Sequence, residues 1–469
     1  MKPLSPSLTC CILPLLVMLC CCSCKKEFLD ARPSSKLVAP NTLADYQALL
    51  ENVDVLNRAT PALSQMACDD YLFVDQSTWE GTFYNAERNS YTWARDLYEG
   101  QKDIKDWNTG YAAIFVCNNV LEGLKQIPLT PANQQHWNQL RGWALFMRAY
   151  LLYDLVRNFS PAYDSVTASV DLGMPVRLKA GVDETAPRST VEQTYSQVLA
   201  DLAEASGLLL PGIAVNNRER PSRVAAMALF ARIYLSMGKY DKAGQYAGST
   251  LALYPALMDY NTLNPLDRDP FSINGAETIL NTTVISNYYD ILATGGYVDL
   301  VVVNPALYDL YQENDLRKTV FFAASPQTGH IYVKFGYAGP YVSPFTGLAT
   351  DEVYLIKAEC LARSGELDGA LELINTLLKN RYRTGTFVPL TATSAQEALG
   401  KILLERRKEL VWRSLRWTDL KRLNKEGANI TLQREIGGKT YTLPPNDPRY
   451  VFPIPDDEIA LSGIRQNIR

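Results

Sequence analysis

Only two histidines, His136 and His330, occur in 469 residues. They lie in different regions, so they cannot by themselves build a metal centre. H-E-x-x-H, G-x-S-x-G, the P-loop and G-x-G-x-x-G are all missing, which leaves no signature of a hydrolase, nucleotide enzyme or bound cofactor. Positive charge is not in excess: 46 Lys and Arg stand against 50 Asp and Glu, a formal charge of -4. There is thus no general basic field for nucleic acid. No apolar run reaches the ~20 residues that a membrane-spanning helix needs. Cysteine is scarce beyond the first 24 residues, which hold six of the nine. Cys68, Cys117 and Cys360 are too few and too widely spaced for a disulfide framework, although one bridge among them is open in an oxidising compartment.

What is present starts at the N-terminus. Lys2 supplies a positive n-region, Cys10 to Cys22 is an apolar run of about thirteen residues, and the small Ser23 directly precedes Cys24. This reads as a cleaved lipoprotein signal with Cys24 as the acylated residue, because the apolar run ends abruptly in Lys25-Lys26-Glu27. Leu19 stands farther from Cys24 than the leucine of such a box usually does, so a neighbouring cysteine is the alternative acceptor. A secreted, unlipidated protein is the plainer alternative. On the lipoprotein reading residues 1–23 leave the fold and residues 24–469 form a single domain. Loss of Lys2 moves the formal charge from -4 to -5. The C-x-x-C spacing of Cys21 and Cys24 is then no redox or zinc motif.

Helical periodicity predicts long helices over Asp103–Ile127, Ala132–Asn158, Thr190–Leu209, Pro221–Tyr254, Ala349–Asn380 and Ser394–Asn424. Between them, at about 256–348, lies an insert rich in Asn, Pro, Gly and Tyr, with short strands predicted at Thr278–Val284, Val298–Val303 and Ile331–Phe335. An insert of that length without its own clear core points to function. The helical part repeats: Ala228–Pro255 aligns with Val353–Asn380, matching Ala231 with Ala358, Gly238 with Gly365 and Ala243 with Ala370. Small residues where two helices touch, and a glycine ending the first, are the spacing of a tetratricopeptide helix pair. Such pairs must stack to cover their apolar faces. The expected fold is therefore mainly α, a tetratricopeptide-type helical scaffold with a loop-rich insert.

"CKKEFLDARP", "LRGWALFMRAYLLYDLVRNF" (Leu140–Phe159), "RVAAMALFARIYLSMGKYDKA" (Arg223–Ala243), "DEVYLIKAECLARSG" (Asp351–Gly365), "ERRKELVWRSLRWTDLKRL" (Glu405–Leu423) and "FPIPDDEI" (Phe452–Ile459) follow one another in order. Together they resemble the SusD/RagB family of outer-membrane nutrient-binding lipoproteins over nearly the whole mature chain. The resemblance implies four tetratricopeptide pairs carrying loops that bind a nutrient, usually a glycan. It also implies a location at the outer membrane, lipid-anchored and facing outward, and a partner, a SusC-like TonB-dependent transporter. The chain departs from the family where Arg413-Ser414 precede Leu415, Arg416 and Trp417, and where Gln466-Asn467 run into Ile468-Arg469.

Two stretches read as a sugar-binding surface, where aromatic rings cover apolar C–H faces and polar groups bond hydroxyls. One holds Asp70, Tyr71, Trp79, Tyr84, Asn89, Tyr91 and Trp93; the other holds Asn287, Tyr288, Tyr289, Tyr297, Tyr337 and Tyr341. From these, Asp70, Tyr71, Trp79, Tyr84, Trp93, Tyr288, Tyr289 and Tyr337 are the candidate ligand-binding residues; for each, packing in the core is the competing role. Trp107 and Tyr111, four apart on a helix, are assigned to the core. Asp69, Asp70, Asp75 and Glu80 could supply a glycosidase's two carboxylates, but among fifty acidic residues such proximity carries little information. The charged run Lys401–Leu423 interleaves acid and base with Leu403, Leu410 and Trp417 every seven residues, and reads as a structural helix. An oligosaccharide is the first expected ligand and a peptide the second. A glycan-degrading enzyme and a tetratricopeptide adaptor are the readings outside that class.

Overall fold

The computed structural model describes residues 40–469 apart from 182–185 and 297–298. The signal sequence and Cys24 lie outside the described residues. Among the described residues ten helices of eight or more residues carry the architecture: α1 (Leu43–Leu50), α2 (Lys105–Leu124), α3 (Gln134–Phe159), α4 (Val191–Leu208), α5 (Arg223–Ser236), α6 (Tyr240–Leu253), α7 (Thr350–Arg363), α8 (Leu367–Lys379), α9 (Ala395–Glu409) and α10 (Arg416–Lys425). The fold is mainly α and tetratricopeptide-like, as the repeat predicts. Helix starts are fixed locally. Thr190 Oγ1 accepts the Gln193 N–H at 3.1 Å while Gln193 Oε1 accepts that of Thr190 at 3.0 Å, a reciprocal cap that starts α4.

α3 is the central post. Every residue from Gly142 to Phe159 is buried, because α2 and α4 pack on it from either side. A helix covered all round needs polar groups satisfied inside, and Arg148 meets Asp201 of α4 with two bonds of 2.7 and 2.8 Å. The aligned repeats form the hairpins α5–α6 and α7–α8, with α6 against α7. Ala231, Ala243, Ala358 and Ala370 are all fully buried. Gly238 and Gly365 adopt φ of +67° and +88°, and a Cβ on either would meet open space. These two glycines are therefore fixed by the left-handed turn that ends the first helix of each pair, not by helix–helix crowding.

Each of the three longest predicted helices is broken in two. The third break, at 410–415, overturns the seven-residue stripe: Leu403 lies in α9, Trp417 in α10, and Trp412 and Ser414 between them have φ of +59° and +55°. Tertiary bonds capture this turn in place of the i−4 ladder. Trp412 N–H donates to Asp70 at 3.3 Å, Ser414 N–H to Gln65 at 3.0 Å, and the Ser414 carbonyl accepts from Arg157 at 2.7 Å.

Among the described residues ten short strands form five antiparallel pairs: β1 (Tyr71–Phe73), β2 (Leu172–Pro175), β3 (Arg188–Thr190), β4 (Thr278–Leu280), β5 (Val301–Val303), β6 (Phe322–Ala324), β7 (Ile331–Val333), β8 (Leu348–Ala349), β9 (Leu432–Ile436) and β10 (Lys439–Leu443). β4 with β8 ties the two ends of the insert together. β1 with β5, in the register Tyr71↔Val303 and Phe73↔Val301, ties the insert to the segment after α1. That pairing brings the two aromatic stretches to one region.

The insert has a core. Phe271 lies edge-on to Tyr337 at 4.8 Å and to Tyr260 at 5.6 Å, and Tyr311 to Phe322 at 5.2 Å. A buried ionic network joins this core to the helices. Arg317 bonds Asp315, Glu405 and Glu409 at 2.7–2.9 Å, and Arg381 bonds Glu409 and Glu277 at 2.7–3.0 Å. Arg413 bonds Asp351 at 2.6 and 3.0 Å. The charged run Lys401–Leu423 is thus spent inside the protein. Arg406 and Arg422 share Asp419, and Arg422 also reaches Glu359.

Candidate functional site

Five of the eight candidate residues are core residues. Asp70 accepts from Gln65 at 3.0 Å and pairs with Arg407. Tyr71 donates to the Met66 carbonyl at 2.5 Å, Trp93 to that of Ala67 at 2.9 Å, and Tyr288 to Asp106 at 2.6 Å. Tyr337 bonds Glu277. All five are buried and unavailable to a ligand. The physical reason is that an interior Tyr or Trp needs an acceptor for its polar tip, so a core cluster has the same mixed aromatic and polar composition as a sugar platform.

The other three are accessible. Tyr289, 51% exposed, opens the short helix Tyr289–Leu292. Tyr84 is half-buried, with its ring edge-on to Tyr288 at 5.3 Å and to Phe83 at 4.8 Å. Trp79 is also half-buried, its Nε1 donating to the Arg88 carbonyl at 2.9 Å and its ring 6.4 Å from Tyr441 of β10. Among the described residues the most exposed aromatic is Phe83, at 80%, which is not among the candidate residues. Its signal was available: a phenylalanine after Gly81-Thr82, in a loop with no periodicity that would bury it. The Phe83 N–H donates to Asp290 Oδ2 at 3.0 Å. Phe83 and Tyr84 from one aromatic stretch thus contact Asp290 and Tyr288 from the other, with the exposed Tyr289 between those two in sequence, and these residues form a ledge with exposed rings and a carboxylate.

Further along the insert Tyr341, also exposed, carries the Arg58 guanidinium over its ring at 4.4 Å. Its segment is held by Thr294, whose N–H donates to the Val342 carbonyl at 2.9 Å. Tyr297 lies outside the described residues. Beneath the ledge, Glu87 is fully buried. Its Oε1 accepts the Ile291 N–H at 3.4 Å and its Oε2 has no partner. Burial, with the Asp290 charge added, pushes its carboxyl up to about 8. It is therefore a neutral acid at pH 7, sealed from any ligand.

The other chemical candidates are structural. Arg416 bonds both oxygens of Asp69 at 2.8 and 2.9 Å; burial raises that carboxyl, but Arg407 and Arg416 outweigh it and hold it well below the usual range. Asp75 caps the helix Gln76–Glu80 through the Thr78 N–H at 2.8 Å. Trp107 and Tyr111 are core, as expected. His136 is exposed and meets Gln47 at 2.8 Å; His330 meets Asp299 at 3.0 Å. Cys68, Cys117 and Cys360 are free buried thiols, so the possible bridge is not made. Among the described residues no three His, Cys, Asp or Glu side chains converge as a metal site.

A rigid scaffold of helix pairs presenting exposed aromatics on loops is the build of a binding protein. The chain belongs to the SusD/RagB family: residues 27–235 match a family described as starch-binding and associating with the outer membrane, and residues 350–468 match the SusD family. Proteins of this family bind ligands and are not enzymes. The SusD-like proteins P2 and P38 of Formosa agariphila are 25% and 23% identical, covering 76% and 70% of this chain and 78% and 73% of theirs. The crystal structure of a putative sugar-binding protein from Bacteroides vulgatus superposes with a TM-score of 0.72 at 20% identity, over 92% of this chain and 99% of its own. A SusD superfamily protein from Bacteroides thetaiotaomicron gives 0.72 at 22%, over 91% and 100%. At these identities the solved structures establish the fold.

Proposed function

We propose that this protein is the capture component of an outer-membrane uptake system, which holds an extracellular oligosaccharide on the ledge of Phe83, Tyr84 and Tyr289 and passes it to a SusC-like TonB-dependent transporter. The observation that carries the reading is the exposure of Phe83 and Tyr289 beside Asp290. Solvent-facing rings in loops add little to folding, and a stacked pyranose would cover them while Asp290 accepts from its hydroxyls. The starch-binding description of the family matched by residues 27–235 supports the ligand class. Exposed rings and one carboxylate form a shallow, reversible site, which suits a protein that must release its cargo.

Phe83→Ala and Tyr289→Ala are each expected to weaken binding of the recognised glycan about tenfold, which corresponds to ~1.4 kcal/mol. Their melting temperatures should barely move, since exposed substitutions stay within about 0.5 kcal/mol. Isothermal titration against a panel of neutral oligosaccharides, with melts of the same variants, checks this. Unchanged affinity in both variants, or hydrolysis of a panel member, sinks the proposal.

The anchor is the second part. Cys24 follows a short apolar run and Ser23, and acylation there would hold the chain at the membrane independently of its fold, since two or more acyl chains give stable anchoring. Cys24→Ala should move the folded protein to the soluble fraction. Its recovery in membranes of cells lacking the transporter would refute the anchor at this position.

A further inference from the structure

A cleft of about 530 Å3 shares no residue with the ledge; its volume is within the ~300–1,000 Å3 typical of small-molecule sites. Its walls are the loop after α3, from Pro161 to Leu172, and the tail segment Arg465–Ile468, with Lys421 of α10 at its base. The tail is pinned. Asn467 donates to the carbonyls of Phe159 and Phe452, each at 2.8 Å, and Gln466 bonds both the N–H and the carbonyl of Ile454 at 2.8 Å. The cleft is therefore preformed, which lowers the cost of ordering it around a ligand.

Its charges are unevenly spent. Lys421 is buried, and its ammonium donates to the carbonyls of Arg157 at 3.0 Å and Ser160 at 2.7 Å, at the C-terminal end of α3. That uses two of its three N–H groups, and no carboxylate pairs with it. The Arg465 guanidinium on the tail wall is exposed and likewise forms no ion pair among the described residues. The acids are mostly committed: Asp164 to Lys425 at 2.9 Å and Asp447 to Arg449 at 2.8 Å. Asp171, bonded by the Thr167 hydroxyl at 2.6 Å, is the one lining carboxylate without a cation. Two basic side chains without a carboxylate partner thus line the cleft together with one acid that has no cation. Burial, reinforced by Arg157, pushes the Lys421 amine down to about 7, so an incoming anion would favour its charged form.

We propose that this cleft is a second binding site, for a carboxylate-bearing sugar of the size of one uronic acid unit, with Lys421 and Arg465 holding the carboxylate and Pro161, Leu172 and Val451 lining the ring. The sugar part rests on the function proposed above; the carboxylate part rests on the cleft alone.

Titrate the mature protein with sodium glucuronate, glucose and sodium acetate. Glucuronate should bind at least tenfold more tightly than glucose, and Arg465→Gln should weaken it at least tenfold with an unchanged melt. Lys421→Met should do the same, its melt reporting whether the buried position tolerates the change. Phe83→Ala separates the two sites: glucuronate binding that survives it belongs to the cleft. The proposal is overturned if glucose matches glucuronate, if Arg465→Gln binds as wild type, if glucuronate fails to bind at millimolar concentration, or if its binding is lost in Phe83→Ala. Acetate matching glucuronate would overturn it as well, since the sugar ring would then add nothing to the carboxylate. Failure of the ledge would appear separately, as neutral glycans indifferent to Phe83→Ala.

Discussion

Arg317→Ala is expected to destabilise the protein by about 3–5 kcal/mol, the usual cost of removing one partner from a buried ion pair. Arg317 is fully buried and holds Asp315 through two bonds, Glu405 through one and Glu409 through one. Without it, Asp315 and Glu405 keep only Lys408, at 2.8 and 3.1 Å, and Glu409 keeps only Arg381. Four carboxylates, Glu277 on Arg381 included, would then share two cations in a low-dielectric interior, where unpaired charge is costly. Arg317→Met tests the cause: it restores much of the volume, so an equal loss assigns the effect to charge, while recovery assigns it to packing. The network joins the insert, through Asp315 and Glu277, to α9, through Glu405 and Glu409. Hydrogen exchange should therefore show the insert losing protection ahead of α3 in the variant. Melts within 1 kcal/mol of wild type, or uniform loss of protection, would contradict this account.

The helical body was legible because its signal is local. Apolar spacing, a Thr190 cap and two glycines at matched positions in aligned segments all act within one or two turns. The break at Trp412 was not, because it depends on Asp70 and Gln65, more than 300 residues away in sequence. The buried ionic network was hidden for the same reason: Lys401–Leu423 carries acid and base at helical spacing whether the helix faces water or Asp315, Asp351 and Glu359. At the ledge, the two stretches that composition singles out do come together, but most of the residues named within them are buried. Tyr71 and Tyr289 are alike by residue type. What separates them is the β1–β5 register, which turns Tyr71 inward to Met66, and the helix start that leaves Tyr289 outside. For Phe83 the signal is weak: a phenylalanine after Gly81-Thr82 with no periodicity that would bury it.

Glu87 gives a large expected pH effect. Its folded carboxyl is pushed up to about 8 by burial and by Asp290, against an ordinary value of 4.5. Between those values the unfolded chain releases this proton and the folded chain retains it. The native state then binds more protons, so stability falls as pH rises. The contribution is fully favourable below about 4.5, declines through the window by up to about 1.4 kcal/mol per pH unit, and is lost above 8, where the folded group ionises as well. Glu87→Gln keeps the shape and abolishes the titration. Relative to wild type, the variant should gain melting temperature steadily from pH 5 to pH 8, and the gain should level off above that. The orphaned Glu87 Oε2 and the bond from Ile291 N–H place the strain directly under Tyr289 and Asp290, so ionisation should loosen the ledge first. Glycan affinity of the wild type should therefore fall above pH 8, while that of Glu87→Gln stays level. A difference in melting temperature that is constant across pH 5 to 9 would show that Glu87 carries a normal carboxylate, and that the acid beneath the ledge is ionised.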